Sequence, residues 1–206
     1  MNFKNGCVVI LIFLMSCSHD FQGPYEKLME PVIKVKLANP NMTFDGEVEP
    51  PMPDPDENKK TVMGVDVNKN GVRDDIEIYI NRTYADSNVR MALKQYVRAE
   101  VGFINSVKFQ DKKITMGELE RHDRVLACLQ FILPFDQSNM TENLSKVFYN
   151  VKIRDDAYGR SQHILGPKSS SGISTSEYLN YDKYCEFKIN DYDKVRENFL
   201  KVWNQK

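Results

Sequence analysis

Twelve residues in the first half of the chain, 66–77, read DVNKNGVRDDIE and hold many side-chain oxygens around a central glycine. Calcium takes six to eight hard oxygen ligands, and a chain that wraps around the ion presents roughly every second residue to it. The spacing therefore predicts a calcium site. Its expected ligands are Asp66, Asn68, Asn70, Asp74 and Glu77, with the backbone carbonyl of Val72.

This spacing resembles the EF-hand-type calcium loop. Gly71 stands at the sixth position, where the loop turns sharply, and Glu77 at the twelfth, where a carboxylate supplies two oxygens. Two features depart from a paired hand: the residues before Asp66 have no helical period, and Arg73 replaces the aliphatic residue that bridges sister loops. The resemblance therefore implies a solitary loop, as in dockerin-type modules. Its dissociation constant for calcium is expected to be about 10⁻⁵ to 10⁻³ M.

A solitary loop suits a structural role, because calcium would fasten the preceding segment to the helix that follows. The alternative is an Asn-Gly turn followed by acidic helix caps, with no metal bound. The same segment also resembles one in uncharacterised proteobacterial lipoproteins, and this second resemblance implies no activity.

The N-terminus has the features of a bacterial export signal. Lys4 precedes an apolar run, residues 7–15, that is shorter than the roughly 20 apolar residues needed to cross a bilayer. The run ends in LMSC, which resembles the lipobox of bacterial lipoproteins. That resemblance implies removal of residues 1–16, acyl chains on Cys17 and, because Ser18 follows, anchoring in the outer membrane, facing the periplasm or the cell surface. An ordinary signal peptide with an incidental cysteine is the alternative.

Charge limits the kind of partner. The chain has 28 basic and 29 acidic side chains and a formal net charge of −1. Nucleic-acid binding needs a clearly basic face, so the composition argues against such a partner. Membrane attachment would depend on the lipid on Cys17, and any further partner is expected to be a protein.

The four cysteines agree with export. Cys7 lies in the predicted signal peptide and Cys17 is the predicted lipid site, which leaves Cys128 and Cys185. In an oxidising compartment the simplest expectation is that these two form a disulfide. Two buried free thiols are the alternative.

The chain is expected to consist of a tether and one domain. Residues 17–62 are rich in proline and charge, which predicts an extended segment able to hold the domain up to about 100 Å from the lipid. Within it, residues 31–39 alternate apolar side chains with lysine and predict one edge strand. Residues 63–206 are long enough for a single domain with its own core.

The domain is predicted to be mainly α with a minor β element. Apolar residues spaced three and four apart predict helices that begin at Asp74, Ser87, Thr115 and Thr141, and a last helix within residues 191–206. Asp74 and Thr115 each precede a glutamate by three positions, which is the capping-box pattern. Residues 152–189 lack this period and predict a small hairpin or irregular structure, with a short strand at YCEFKI.

Candidate catalytic groups are few. His122 falls on the apolar face of a predicted helix, which is typical of a core residue. Ser161 and His163, with Asp155 or Asp156, could form a Ser/His/Asp arrangement, but triads depend on geometry and no nucleophile-elbow sequence is present. The sequence therefore favours a non-enzymatic envelope lipoprotein that binds or scaffolds. An immunity-type inhibitor of an envelope-targeted toxin and a hydrolase that uses His163 are the alternatives.

Overall fold

The computed structural model of the chain describes residues 22–134, 137–166 and 175–203, and over these residues the predicted mainly α fold is confirmed. A single small sheet, β1 and β2, accompanies eight α-helices and two 3₁₀-helices in this part of the chain. None of the described helices has the length and apolar character needed to cross a membrane. The elements are α1 Gln22–Ala38, β1 Thr43–Phe44, β2 Glu47–Val48, α2 Pro55–Lys59, α3 Asp74–Thr83, α4 Ser87–Asn105, a 3₁₀-helix Ser106–Phe109, α5 Lys112–Ile132, α6 Gln137–Phe148, α7 Lys152–Leu165, a 3₁₀-helix Thr175–Tyr184 and α8 Tyr192–Trp203.

The helices α4 and α5 form the centre of the core. Most residues of α4 are buried, and its apolar residues recur every three or four positions. The buried apolar residues of α5 lie in its C-terminal half. α4 begins at the predicted residue, Ser87, because Asp86 caps it by accepting a hydrogen bond from the Val89 N–H (3.2 Å). The core between the two helices includes Leu93, Val97 and Ile104 of α4 and Val125, Cys128 and Leu129 of α5.

Neither predicted capping box forms. α5 begins at Lys112 because Asp111 accepts hydrogen bonds from two backbone N–H groups of its first turn (2.7 and 3.2 Å). Thr115 is buried inside the helix and donates to the Asp111 carbonyl (3.0 Å). α3 does begin at Asp74, but the Asp74 carboxylate turns back toward the preceding loop and accepts a hydrogen bond there.

Residues 22–62 are folded against the helical domain, where the sequence predicted an extended tether over 17–62. α1 lies across α3 and α6 and buries Met29 and Val32. The prediction of an extended chain therefore does not hold for this segment. Residues 1–21, which include the predicted signal peptide and lipid site, lie outside the described residues.

A buried lysine hides the helical period of α1 in the sequence. Lys36 is enclosed, and its ammonium lies 2.8 Å from Glu49 Oε2. The alternation over residues 31–39 had placed Lys36 on the solvent side of an edge strand, and that strand prediction is wrong. Pro31 lies within α1, where it removes one backbone donor and further obscures the helix.

The small sheet is a hairpin at residues 43–48, where the sequence contains an Asp-Gly pair. Asp45 and Gly46 both have positive φ (53° and 87°), as a two-residue hairpin turn requires. The Asp45 carboxylate accepts two hydrogen bonds from Arg90 (2.5 and 2.9 Å), which docks the hairpin on the start of α4. The strand predicted at residues 184–189 is absent there.

The segment after Tyr184 is held by a side chain instead of a strand. Gln95 of α4 donates to the Tyr184 carbonyl (2.8 Å) and accepts from the Glu186 N–H (3.1 Å). Both ends of one amide therefore satisfy backbone groups that a strand partner would otherwise have satisfied.

One helix was not predicted, and another begins earlier than predicted. α7 occupies residues that were expected to be irregular, because two of its four buried positions, Arg154 and Ser161, are polar and weaken the apolar period. α6 begins at Gln137, ahead of the predicted Thr141. The C-terminal helix is confirmed as α8, and Phe199 and Val202 are its buried residues.

The predicted disulfide is confirmed. Cys128 on α5 is joined to Cys185, and their Cα atoms lie 5.0 Å apart. The bond fastens the chain that follows the second 3₁₀-helix to the middle of the domain. A smaller aromatic cluster, which includes Phe131, Tyr181 and Phe199, packs on α5 beside it.

Candidate metal centre

Residues 66–72 form a loop whose backbone N–H groups donate hydrogen bonds to polar side chains of the same loop. The Asp66 carboxylate accepts hydrogen bonds from the backbone N–H groups of Asn70 (3.2 Å) and Gly71 (2.9 Å). Asn68 Oδ1 also accepts from the Asn70 N–H (3.2 Å), and Asn70 Oδ1 accepts from the Val72 N–H (2.9 Å). The side chains at positions 1, 3 and 5 of the predicted calcium loop therefore all fold inward along the backbone.

Gly71 is required by both backbone and packing. Its φ of +81° lies in the region that favours glycine. A Cβ at this position would lie 3.2 Å from the Cγ and Cδ atoms of Arg98 on α4. The sharp turn expected at the sixth position is thus present, and α4 packs directly over it.

Glu77 closes the loop from the first turn of α3. Its Oε2 accepts hydrogen bonds from the side-chain amides of Asn68 (3.1 Å) and Asn70 (2.9 Å). Positions 3, 5 and 12 of the predicted site therefore meet at one carboxylate oxygen.

Asp74 lies beneath the loop and is fully buried. Its two oxygens accept from the Val67 N–H (3.1 and 3.3 Å). Burial, together with the charges of Asp66 and Glu77, raises the pKa of the Asp74 carboxyl to about 6, although the Val67 N–H opposes the shift. Negative charges therefore lie close together in this site, and a bound divalent cation would relieve their repulsion.

Lys94 contacts this site, although nothing in the sequence pattern placed it there. Its ammonium lies 2.8 Å from Glu77 Oε1, and both side chains are buried. The two oxygens of Glu77 are therefore divided between a lysine and two asparagines.

Arg73, which departs from the paired-hand pattern, is buried and ties the loop to α6. Its guanidinium donates to the carbonyls of Val147 (2.7 Å) and Phe148 (3.1 Å) at the end of that helix. It also pairs with Asp75 at 2.5 Å. A cation at a helix C-terminus satisfies carbonyls that lack helical partners. Arg73 therefore joins the loop to the end of α6, where a paired hand would join it to a second calcium loop.

Asp75 connects the same network to the N-terminal segment. Its Oδ2 accepts hydrogen bonds from the Tyr25 hydroxyl (3.1 Å) on α1 and from the Asn58 amide (2.9 Å) on α2. Burial raises the pKa of the Tyr25 hydroxyl, with the Asp75 charge as the next cause. The start of α3 therefore joins the candidate site, α1, α2 and α6.

The expected ligand atoms are of the kind that a hard cation such as calcium prefers. Every expected ligand is an oxygen, and three of the residues are carboxylates. Asn68 and Asn70 direct their amide nitrogens at Glu77. A half turn about the last side-chain bond would present their oxygens to an ion there, at the expense of the hydrogen bonds that these oxygens accept from the Asn70 and Val72 N–H groups. Among the described residues, no three or more His, Cys, Asp or Glu side chains cluster closely enough to hold a metal. Calcium binding here would therefore require the two asparagines and the Val72 carbonyl.

The other candidates from the sequence are separated. Ser161 is buried in α7 and donates to the Ala157 carbonyl (3.0 Å), whereas His163 is exposed, so the structure does not bring these two together. His122 lies on α5 and its side chain faces α4, where its Nε2 is 2.7 Å from Glu100 Oε2. Glu100 also accepts a hydrogen bond from the Tyr149 hydroxyl.

Comparison with known proteins adds no relative: no family model, no curated protein and no solved structure matches the chain.

Proposed function

We propose that the protein is a lipid-anchored protein of the bacterial outer membrane that acts by binding or scaffolding and holds one structural calcium ion in residues 66–77. The observation that supports the calcium site best is the convergence of Asn68 and Asn70 on Glu77, seven to nine residues away along the chain. The inward hydrogen bonds of Asp66 support it further.

Calcium would act here as a staple and not as a switch. The loop joins the N-terminal elements to α3, and its backbone is already closed by the hydrogen bonds of Asp66, Asn68 and Asn70. An ion that binds only the folded chain stabilises it by mass action. A helical domain fastened in this way presents a rigid surface to a protein partner in the envelope.

Calcium should raise the melting temperature of the protein. At about 100 times its dissociation constant, a ligand that binds only the folded state adds about 2.7 kcal/mol, which corresponds to about 5–10 °C for a chain of this size. Asp66→Asn removes one ligand charge and should lose at least half of this shift, as measured by circular dichroism in calcium and in chelator. Asp56→Asn, at an exposed position of α2, is the matched control and should keep the full shift. Equal shifts in both variants would contradict the site.

The anchor would hold the domain close to the membrane. α1 begins at Gln22, so only residues 18–21 separate it from Cys17. Four residues span at most about 14 Å, far less than the tether predicted from sequence. The folded domain would therefore lie at the bilayer surface.

Lipidation can be tested by substitution of single cysteines. Cys17→Ser should remove the mass of the acyl chains from the protein, as measured by mass spectrometry. Cys7→Ser, within the predicted signal peptide, should leave that mass unchanged. Acyl mass that persists in Cys17→Ser would contradict a lipid anchor at this residue.

A further inference from the structure

The carboxylate that should close a calcium site already has a cation partner. Lys94 Nζ and Glu77 Oε1 lie 2.8 Å apart, and the two side chains are 6% and 1% exposed. A buried lysine is costly unless a charge partner compensates for the water it has lost. Glu77 provides that compensation, and Lys94 in turn neutralises Glu77.

A second basic side chain of α4 packs over the same loop. Arg98 lies one turn after Lys94, and the aliphatic part of its side chain would lie 3.2 Å from a Cβ at Gly71. Its guanidinium lies 3.9 Å from Glu186 Oε2 and therefore does not take part in the Glu77 pair. Lys94 is thus the cation of α4 that pairs with the loop.

The two oxygens of Glu77 have separate partners. Oε1 faces Lys94, and Oε2 faces the amides of Asn68 and Asn70. Calcium in a loop of this type takes both oxygens of the last carboxylate. Lys94 thus holds one of the two oxygens that calcium needs.

We propose that Lys94 is a built-in competitor of calcium. Without the ion, its ammonium keeps Glu77 neutralised and the loop closed. Calcium gains both Glu77 oxygens when Lys94 releases Oε1, so the lysine lowers the calcium affinity of the loop and sets the concentration at which it fills. This inference rests on the proposed calcium site.

The test is calorimetric titration of calcium into the full chain in detergent, with Lys94→Gln beside the wild type. Glutamine keeps a hydrogen-bond donor for Glu77 but removes the competing charge. Removal of a unit charge this close to the ion should tighten calcium binding by about tenfold or more. Lys113→Gln, at an exposed position of α5, changes the net charge equally and should bind as the wild type does, within about twofold.

Folding of the variant is followed in the same samples. Lys94→Gln leaves the Glu77 charge uncompensated, so its melting temperature in chelator should fall below that of the wild type, and calcium should restore it. If the variant is unfolded in chelator, recovery of helical circular dichroism at calcium concentrations below those that the wild type needs for binding supports the competition. Failure to recover overturns it.

The outcomes separate the two proposals. Equal affinity in wild type and Lys94→Gln overturns the competition and leaves the calcium site standing. Binding in Lys94→Gln alone supports the competition but overturns a calcium role in the wild type. No binding in either chain overturns both.

Discussion

Asp75→Ala is expected to lower the free energy of unfolding by about 3–5 kcal/mol, because it leaves the buried cation of Arg73 without its charge partner. Arg73 and Asp75 pair at 2.5 Å with almost no exposure of either side chain. The same substitution removes the acceptor for Tyr25 and Asn58. The loss should be visible as a lower midpoint in urea unfolding, with the slope unchanged.

An exposed pair provides the matched control. Asp156 and Lys152 lie 2.6 Å apart, but both are open to solvent on the surface of α7. Asp156→Ala should therefore cost no more than about 0.5 kcal/mol. Similar losses in the two variants would contradict the view that the Asp75 network fastens the N-terminal segment.

The coupling within this network can be measured separately. Arg73→Met removes the cation, and the double variant Arg73→Met/Asp75→Ala leaves no unpaired charge between these two positions. The double variant should therefore lose clearly less stability than the sum of the single variants, since contacting residues are not additive. Simple additivity would mean that the pair contributes little.

Loss of the disulfide is the second large effect. Cys128 and Cys185 are 57 positions apart, and closing a loop of that length stabilises the folded chain by about 4 kcal/mol on the chain-entropy view. The double variant Cys128→Ala/Cys185→Ala should lose stability of this order in urea unfolding. The reason is that its unfolded chain regains the freedom that the bond removes.

Reductant supplies the internal control for that measurement. It should bring the wild type close to the stability of the double variant and should leave the double variant unchanged. A loss below about 1 kcal/mol would show that noncovalent contacts of the segment, such as those to Gln95, already hold it in place.

The sequence predicted those parts of the fold that depend on periodicity. The stripe of Leu93 and Val97 predicted α4, and Phe199 and Val202 predicted α8, because each of these helices buries a mainly apolar face. α1 and α7 could not be found in this way. Lys36 and Arg154 occupy their buried faces, and charged residues are by default read as exposed.

The candidate site shows the same division. The local hydrogen bonds of Asp66, Asn68 and Asn70 join residues two to five positions apart, so the spacing alone indicates them. The contacts of Lys94 and Arg73 depend on how α4 and α6 pack against the loop, and no local pattern specifies that packing. The Asp45-Gly46 hairpin was a signal that the sequence did contain, since Asp-Gly is a preferred two-residue turn.

The most direct test of the calcium site is calorimetric titration of calcium into the chelator-treated full chain in detergent, beside Asp66→Ala/Glu77→Gln. Circular dichroism should first establish that the variant is folded, because Glu77→Gln also breaks the pair with Lys94. The calcium site predicts binding near one equivalent in the wild type and none in the variant. An absence of heat at millimolar calcium would contradict it and reduce residues 66–77 to a turn that leads into α3.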